Sequence, residues 1–101
     1  ALSKFGDNES LPMIRKYLKH ENWYVKVHAV NALGRLGIEE DTPLLIKMLR
    51  DPQWWVRYRA AQALSNLPHI DINKLWFIQE EQTDPYAQDI LTQVIAEKEN
   101  K

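Results

Sequence analysis

The chain has 101 residues, enough for one small domain with a modest core, and its 45% hydrophobic and 27% charged residues are ordinary for a water-soluble fold. No apolar run approaches the roughly 20 residues that a membrane span needs. The absence of cysteine excludes disulfides and thiolate metal sites, and a net charge of −1 gives no support for a dedicated nucleic-acid binder.

In chain order, Ala1-Leu2-Ser3-Lys4-Phe5-Gly6 becomes informative only beside Ala32-Leu33-Gly34-Arg35-Leu36-Gly37, which lies 31 residues on. It reads as the last turns of a helix that starts upstream. Without an initial methionine, it leads to the expectation of a fragment cut from a longer array. Ser10 and Pro12 form a helix-start signal. Leu11, Ile14, Tyr17 and Leu18 make the apolar face of that helix, and Arg15, Lys16 and Lys19 lie off it. His20-Glu21-Asn22 is a turn. A second helix runs from about Trp23 to Leu36, stopped by Gly37, which takes the left-handed conformation without a Cβ clash.

Thr42 with Pro43 then starts another helix, whose apolar face is Leu44, Leu45, Met48 and Leu49. After the turn Arg50-Asp51-Pro52 comes the clearest helix of the chain. Asp51 reads as its N-cap, Pro52 as its first residue and Pro68 as its stop. Its residues Trp54, Val56, Arg57, Ala60, Ala63, Leu64 and Leu67 repeat Trp23, Val25, Lys26, Ala29, Ala32, Leu33 and Leu36 at an offset of 31. A period of that length is the signature of a helical repeat array.

The remainder is a weaker copy. Asn73 to Gln82 reads as a helix with Leu75, Trp76, Phe77 and Ile78 apolar; of the consecutive pair Trp76 and Phe77, one is expected to cover a repeat junction. Asp84-Pro85 restates Asp51-Pro52 at an offset of 33, while Ala87, Leu91, Val94 and Ile95 fall 31 after Val56, Ala60, Ala63 and Leu64. Lys98 stands where Leu67 would be matched, and the tail is polar, as in a terminal repeat that stops stacking. The organisation expected is therefore one domain, 1–101: the end of an upstream repeat (1–7), two repeats (8–38 and 39–69) and a degenerate C-terminal capping repeat (70–101).

The pattern Asp51-Pro52-x-Trp54-x-Val56-Arg57-x-x-Ala60-Ala61-x-Ala63-Leu64, preceded by a Pro-Leu helix, resembles the HEAT repeat, closest to the short bacterial-type variety also called phycobilisome-lyase HEAT-like repeats. The resemblance implies an all-α fold: antiparallel helix pairs stacked into a superhelical solenoid, with the second helix of each pair on the concave side. It also implies that Asp51 and Arg57 help to stitch one repeat to the next, although His20 and Lys26 hold those positions in the first repeat. For function the family is broad, spanning scaffolds, lyase subunits, hydroxylases and a DNA-repair branch.

Helical rotation separates packing residues from available ones. Opposite the core face of the second-repeat helix that Asp51-Pro52 starts lie Trp55, Tyr58, Arg59, Gln62 and Asn66; the preceding repeat has Tyr24, Val27, His28, Asn31 and Arg35 there. Tyrosine, tryptophan and arginine dominate interface hot spots. Tyr24, His28, Asn31, Trp55, Tyr58, Arg59 and Gln62 are therefore the candidate partner-binding residues, with packing of Trp55 and Tyr58 on a neighbouring repeat as the alternative. Trp23 and Trp54, nearer the core face, are expected to pack between helices.

No catalytic set emerges. His20-Glu21 is a lone pair where an iron site needs several converging from different repeats, so neither metal nor cofactor is expected. The expected function is a non-enzymatic protein–protein interaction or scaffold module, cytoplasmic, binding a protein or peptide on its second-helix surface. The alternatives are a lyase-type or chaperone-like subunit acting on a bilin-bearing protein, or a DNA-binding module. The latter is disfavoured by an uneven charge: Leu11–Leu36 holds five basic residues against one acid, whereas Asp71–Lys101 holds seven acids against three lysines. Self-association through the N-terminal flank (Leu2, Phe5, Leu11, Ile14) is a further expectation.

Overall fold

The computed structural model describes residues 11–36, 39–67 and 69–100. The expectations for Ala1–Gly6, Ser10, Gly37 and Pro68, and for the side chain of Leu11, fall outside the described residues. Six α-helices follow one another: α1 (Leu11–Tyr17), α2 (Trp23–Leu36), α3 (Thr42–Met48), α4 (Trp54–Asn66), α5 (Ile72–Glu81) and α6 (Pro85–Glu99). A short 3-10 helix, Glu39–Asp41, leads into α3. Among the described residues there is no strand.

Consecutive helices pair as α1/α2, α3/α4 and α5/α6, and the second members α2, α4 and α6 pack side by side in that order. This is the all-α stack of antiparallel helix pairs expected from the repeat. The reason is visible in equivalent core positions. Leu33, Leu64 and Ile95, each 31 residues apart, are all fully buried, as are Val56 and Ala87. Burying each of the Leu, Ile and Val side chains contributes about 1.5–3 kcal/mol relative to leaving it in water, and the alanine methyl about 0.8 kcal/mol. Ala60, Ala61 and Ala63 keep α4 thin enough to be packed by helices on several sides, and it touches α2, α3, α5 and α6.

Helix starts separate two signals that look alike in sequence. Asp84 is the N-cap of α6, its side chain accepting from the Ala87 N–H at 3.3 Å. Asp51 is not the cap of α4. That helix starts at Trp54 behind Gln53, whose carbonyl accepts from the Val56 and Arg57 amides. The Asp51 carboxylate is engaged instead by the Gln53 N–H at 3.0 Å and the Lys26 ammonium at 2.7 Å. The second of these bonds reaches across to the previous repeat, so the carboxylate closes a turn and ties two repeats together. A cap that the sequence does not single out, Asp71, accepts from the Lys74 N–H at 2.8 Å and starts α5.

Three expectations about aromatic side chains are corrected. Tyr17 is exposed, while Leu18 and the half-buried Ile14 hold α1 to the core. Trp76 and Phe77 are both exposed; α5 buries Leu75 and Ile78, which lie 30 residues after the buried Leu45 and Met48, so its inward face is one residue out of step with the 31-residue period. Trp23 and Trp54 are 39% and 40% exposed rather than buried between helices. Each is the first residue of its helix. Their rings find partners on their own helices: Trp23 edge-on to Tyr24, and Trp54 stacked on Tyr58 at 5.0 Å, one turn along.

The repeats are stitched differently at the two junctions. Between the first and second, Arg15 donates to Asp41 at 2.8 Å and Lys26 to Asp51. Arg57 does not pair with the Asp51 carboxylate, as the resemblance implied. It donates to the backbone carbonyls of Asp51 and Pro52, and its guanidinium lies over the Tyr86 ring, 5.0 Å from the centroid. Lys98, in place of a third leucine, donates to the Ser65 carbonyl at 2.6 Å.

Candidate partner-binding face

The layer formed by α2, α4 and α6 carries a groove of about 650 Å3 between its first two helices. α2 contributes His28, Asn31, Gly34 and Arg35; α4 contributes Arg59, Gln62, Ala63 and Asn66. The helical period explains the set. His28, Asn31, Gly34 and Arg35 are spaced three, four and seven apart, and so occupy one stripe of α2. The 31-residue repeat places Arg59, Gln62 and Asn66 at the matching positions of α4. The groove therefore has three rows: His28 with Arg59, Asn31 with Gln62, and Arg35 with Asn66.

Its floor is made by small residues. A Cβ built on Gly34 would meet the Ala63 Cβ at 2.8 Å, so α2 and α4 approach as closely as they do only because this position has no side chain. Its walls are cationic and amide-rich, and no carboxylate lines the groove among the described residues. Arg59 is held in place: its Nη1 donates to Gln62 Oε1 at 3.1 Å, and its guanidinium carbon lies 5.9 Å from the centroid of the Trp55 ring.

Aromatic side chains adjoin this groove through its first row. Tyr24, 59% exposed, packs edge-on to His28 at 4.7 Å, and Trp55, 46% exposed, neighbours Arg59. Tyr24 and Trp55 occupy equivalent positions, and the next step of the period lands on Tyr86, 63% exposed. The sequence reading missed Tyr86, although applying the 31-residue step to Trp55 points directly to it. Gly34 and Ala63 were missed as well, because a groove floor is a property of two helices in contact.

Tyr58 separates from the other candidates. Its hydroxyl donates to the Glu97 carboxylate, with the two oxygens at 3.0 and 3.1 Å, and accepts from Gln62 Nε2 at 2.9 Å. It thus belongs to the seam between α4 and α6, and Trp55 does not share that role. The bond to Glu97, then desolvation and the nearby negative charge, raises the Tyr58 pKa above the usual tyrosine value, with Arg59 opposing. The loss of a hydrogen bond to a carboxylate is the physical cause: a phenolate there would face Glu97 charge to charge.

His20 is a turn residue in which Nδ1 accepts from the Asn22 N–H at 3.0 Å. Among the described residues no three His, Asp or Glu side chains converge as a metal-binding group, and no helix is long and apolar enough to cross a membrane.

A family model described as HEAT repeats matches residues 1–65. No curated protein and no solved structure matches the chain.

Proposed function

Because this chain belongs to the HEAT-repeat family, whose repeats serve as protein-interaction scaffolds, we propose that it is a non-enzymatic module that holds a protein partner on its second-helix face. The groove between α2 and α4 is the site, and Tyr24 and Trp55 beside it are the anchors. The observation that carries this reading is the repetition of exposed aromatics at one position of successive helices, on a face whose other residues are polar. An aromatic ring left 46–59% exposed forgoes burial that folding alone would favour, and rigid aromatics are the residue types on which interfaces concentrate their energy.

The test is replacement of Trp55 and Tyr24 by alanine, followed by titration with binding peptides or with proteins captured by the wild-type chain. Each substitution is expected to weaken binding by about 1–3 kcal/mol, in the range of an aromatic hot spot, with an unchanged helical circular dichroism signal. Unaltered affinity in the double variant would remove the aromatic pair from the site. Tyr58→Phe separates the two seams of α4. It breaks the bond to Glu97 and the one from Gln62 Nε2 but leaves Tyr24 and Trp55 in place, so stability falls while the aromatic anchors are retained.

A further inference from the structure

We infer that the segment bound in the α2/α4 groove is an acidic stretch of polypeptide in extended conformation, carrying two carboxylates three residues apart. This deepens the reading above and rests on it. The first argument is charge complementarity. Arg35 and Arg59 line the groove with no carboxylate among its described lining residues, in a chain whose net charge is −1. Arg15 and Lys26 are matched by Asp41 and Asp51, whereas the two groove arginines face no such partner within its lining.

Geometry supplies the spacing. Arg59 stands in the first row of the groove and Arg35 in the third, with the Asn31 and Gln62 amides between them. Seven residues separate those rows along each helix, which is about 10 Å at the α-helical rise. An extended chain covers that distance in about three residues. Side chains three apart on an extended chain point to opposite sides. Carboxylates at that spacing therefore reach Arg59 on one wall and Arg35 on the other. The Asn31 amide and the second N–H of the Gln62 amide, whose first serves Tyr58, face the intervening main chain. Arg59 is already positioned by Gln62 and Trp55, so little side-chain freedom is lost when it engages a carboxylate.

A polynucleotide is the other occupant that two arginines would attract. It is disfavoured by what lies beside the groove. Glu97 reaches Tyr58 on α4, and Asp89, 31 residues after Tyr58, is exposed on the same helix as Glu97. A long polyanion crossing from α4 to α6 meets these carboxylates. A short acidic peptide kept between α2 and α4 approaches Glu97 alone, across Gln62 and Asn66, rather than running along α6.

The test is selection of random dodecapeptides on the intact chain, with fluorescence titration of those enriched, against wild type, Arg35→Glu/Arg59→Glu and Trp55→Ala. The expected result is enrichment of peptides with Asp or Glu at i and i+3, bound at least tenfold more weakly by the arginine variant and more weakly at higher salt. Arg35→Gln/Arg59→Gln gives an intermediate loss, and thermal melting checks that all variants fold. Enriched peptides that are neutral or basic, yet lose affinity in Trp55→Ala, overturn the acidic assignment and leave the interaction reading standing. Peptides indifferent to every one of these substitutions, or no enrichment at all, overturn both. An arginine-dependent affinity for a single-stranded oligonucleotide exceeding that for any peptide replaces the acidic peptide with a nucleic acid.

Discussion

At Gly34 two effects compete on a single methyl group. Alanine is the better helix former by about 1 kcal/mol, yet its Cβ would sit 2.8 Å from the Ala63 Cβ, with the Ala63 Cα at 3.3 Å. Neither is the end of a flexible side chain, so a helix must move, and overpacking of this kind costs about 1–3 kcal/mol. Gly34→Ala is expected to destabilise the chain by about 1 kcal/mol net, read as a lower urea midpoint. Measured in an Ala63→Gly background the loss shrinks, because the closest contact, Cβ on Cβ, is gone and only the 3.3 Å approach to the residue 63 Cα remains tight. Tyr58 makes a second residue-scale prediction. Its folded pKa is raised, so its contribution to stability is present below the ordinary tyrosine pKa and is lost as pH rises through the folded value. The difference between alkaline absorbance titrations of wild type and Tyr58→Phe should show Tyr58 ionising above the ordinary tyrosine value. Glu97→Gln lowers it; a Tyr58 that ionises at the ordinary value and is unmoved by Glu97→Gln refutes the bond.

Among the elements, α4 and α6 show how one dipeptide does two jobs. Asp84-Pro85 starts a helix in the ordinary way, with Pro85 in its first turn and the carboxylate on the Ala87 N–H. Asp84→Ala therefore removes a cap, for a loss of about 1 kcal/mol. Asp51-Pro52 stands before Gln53, the residue that caps α4, and its carboxylate spans two repeats. Lys26→Met leaves a carboxylate that is 7% exposed with the Gln53 N–H as its one remaining side-chain bond. The expected loss is about 1.5–3 kcal/mol, the range for hydrogen bonds to charged groups. Thermal melts of Lys26→Met, Asp51→Asn and the double variant would measure it: a coupling near zero would mean that the pair does not stitch the repeats.

On the scale of the whole molecule, α4 is the element that the others share, since it contacts α2, α3, α5 and α6. In a stack of this kind stability is close to a sum of repeat and nearest-neighbour terms, so the place of a cavity decides how far its effect spreads. Leu64→Ala and Leu91→Ala both empty a fully buried site, each at about 2–5 kcal/mol. The first is expected to raise amide exchange in α2, α4 and α6 together. The second should raise it in α5 and α6 while α2 keeps its protection. Uniform loss in both variants would show that the chain unfolds as one unit.

How much of this was legible beforehand depended on whether a feature is local to one helix. The extent of α2, the buried Leu33, Leu64 and Ile95, and the stripe of His28, Asn31, Arg59 and Gln62 follow from the 3.6-residue turn and a 31-residue copy, both of which are written in the order of residues. The sequence by itself therefore determined the all-α repeat fold and which side of α2 and α4 is polar, while the faces of α1 and α5 were read only in part. Tertiary structure alone decided that Tyr58 turns to Glu97 while Trp55 stays open, that Asp51 serves Lys26 rather than its own helix, and that Gly34 and Ala63 floor a groove. Each of these depends on a distance between two helices. The periodicity of one helix fixes the direction of a side chain but not what stands opposite it.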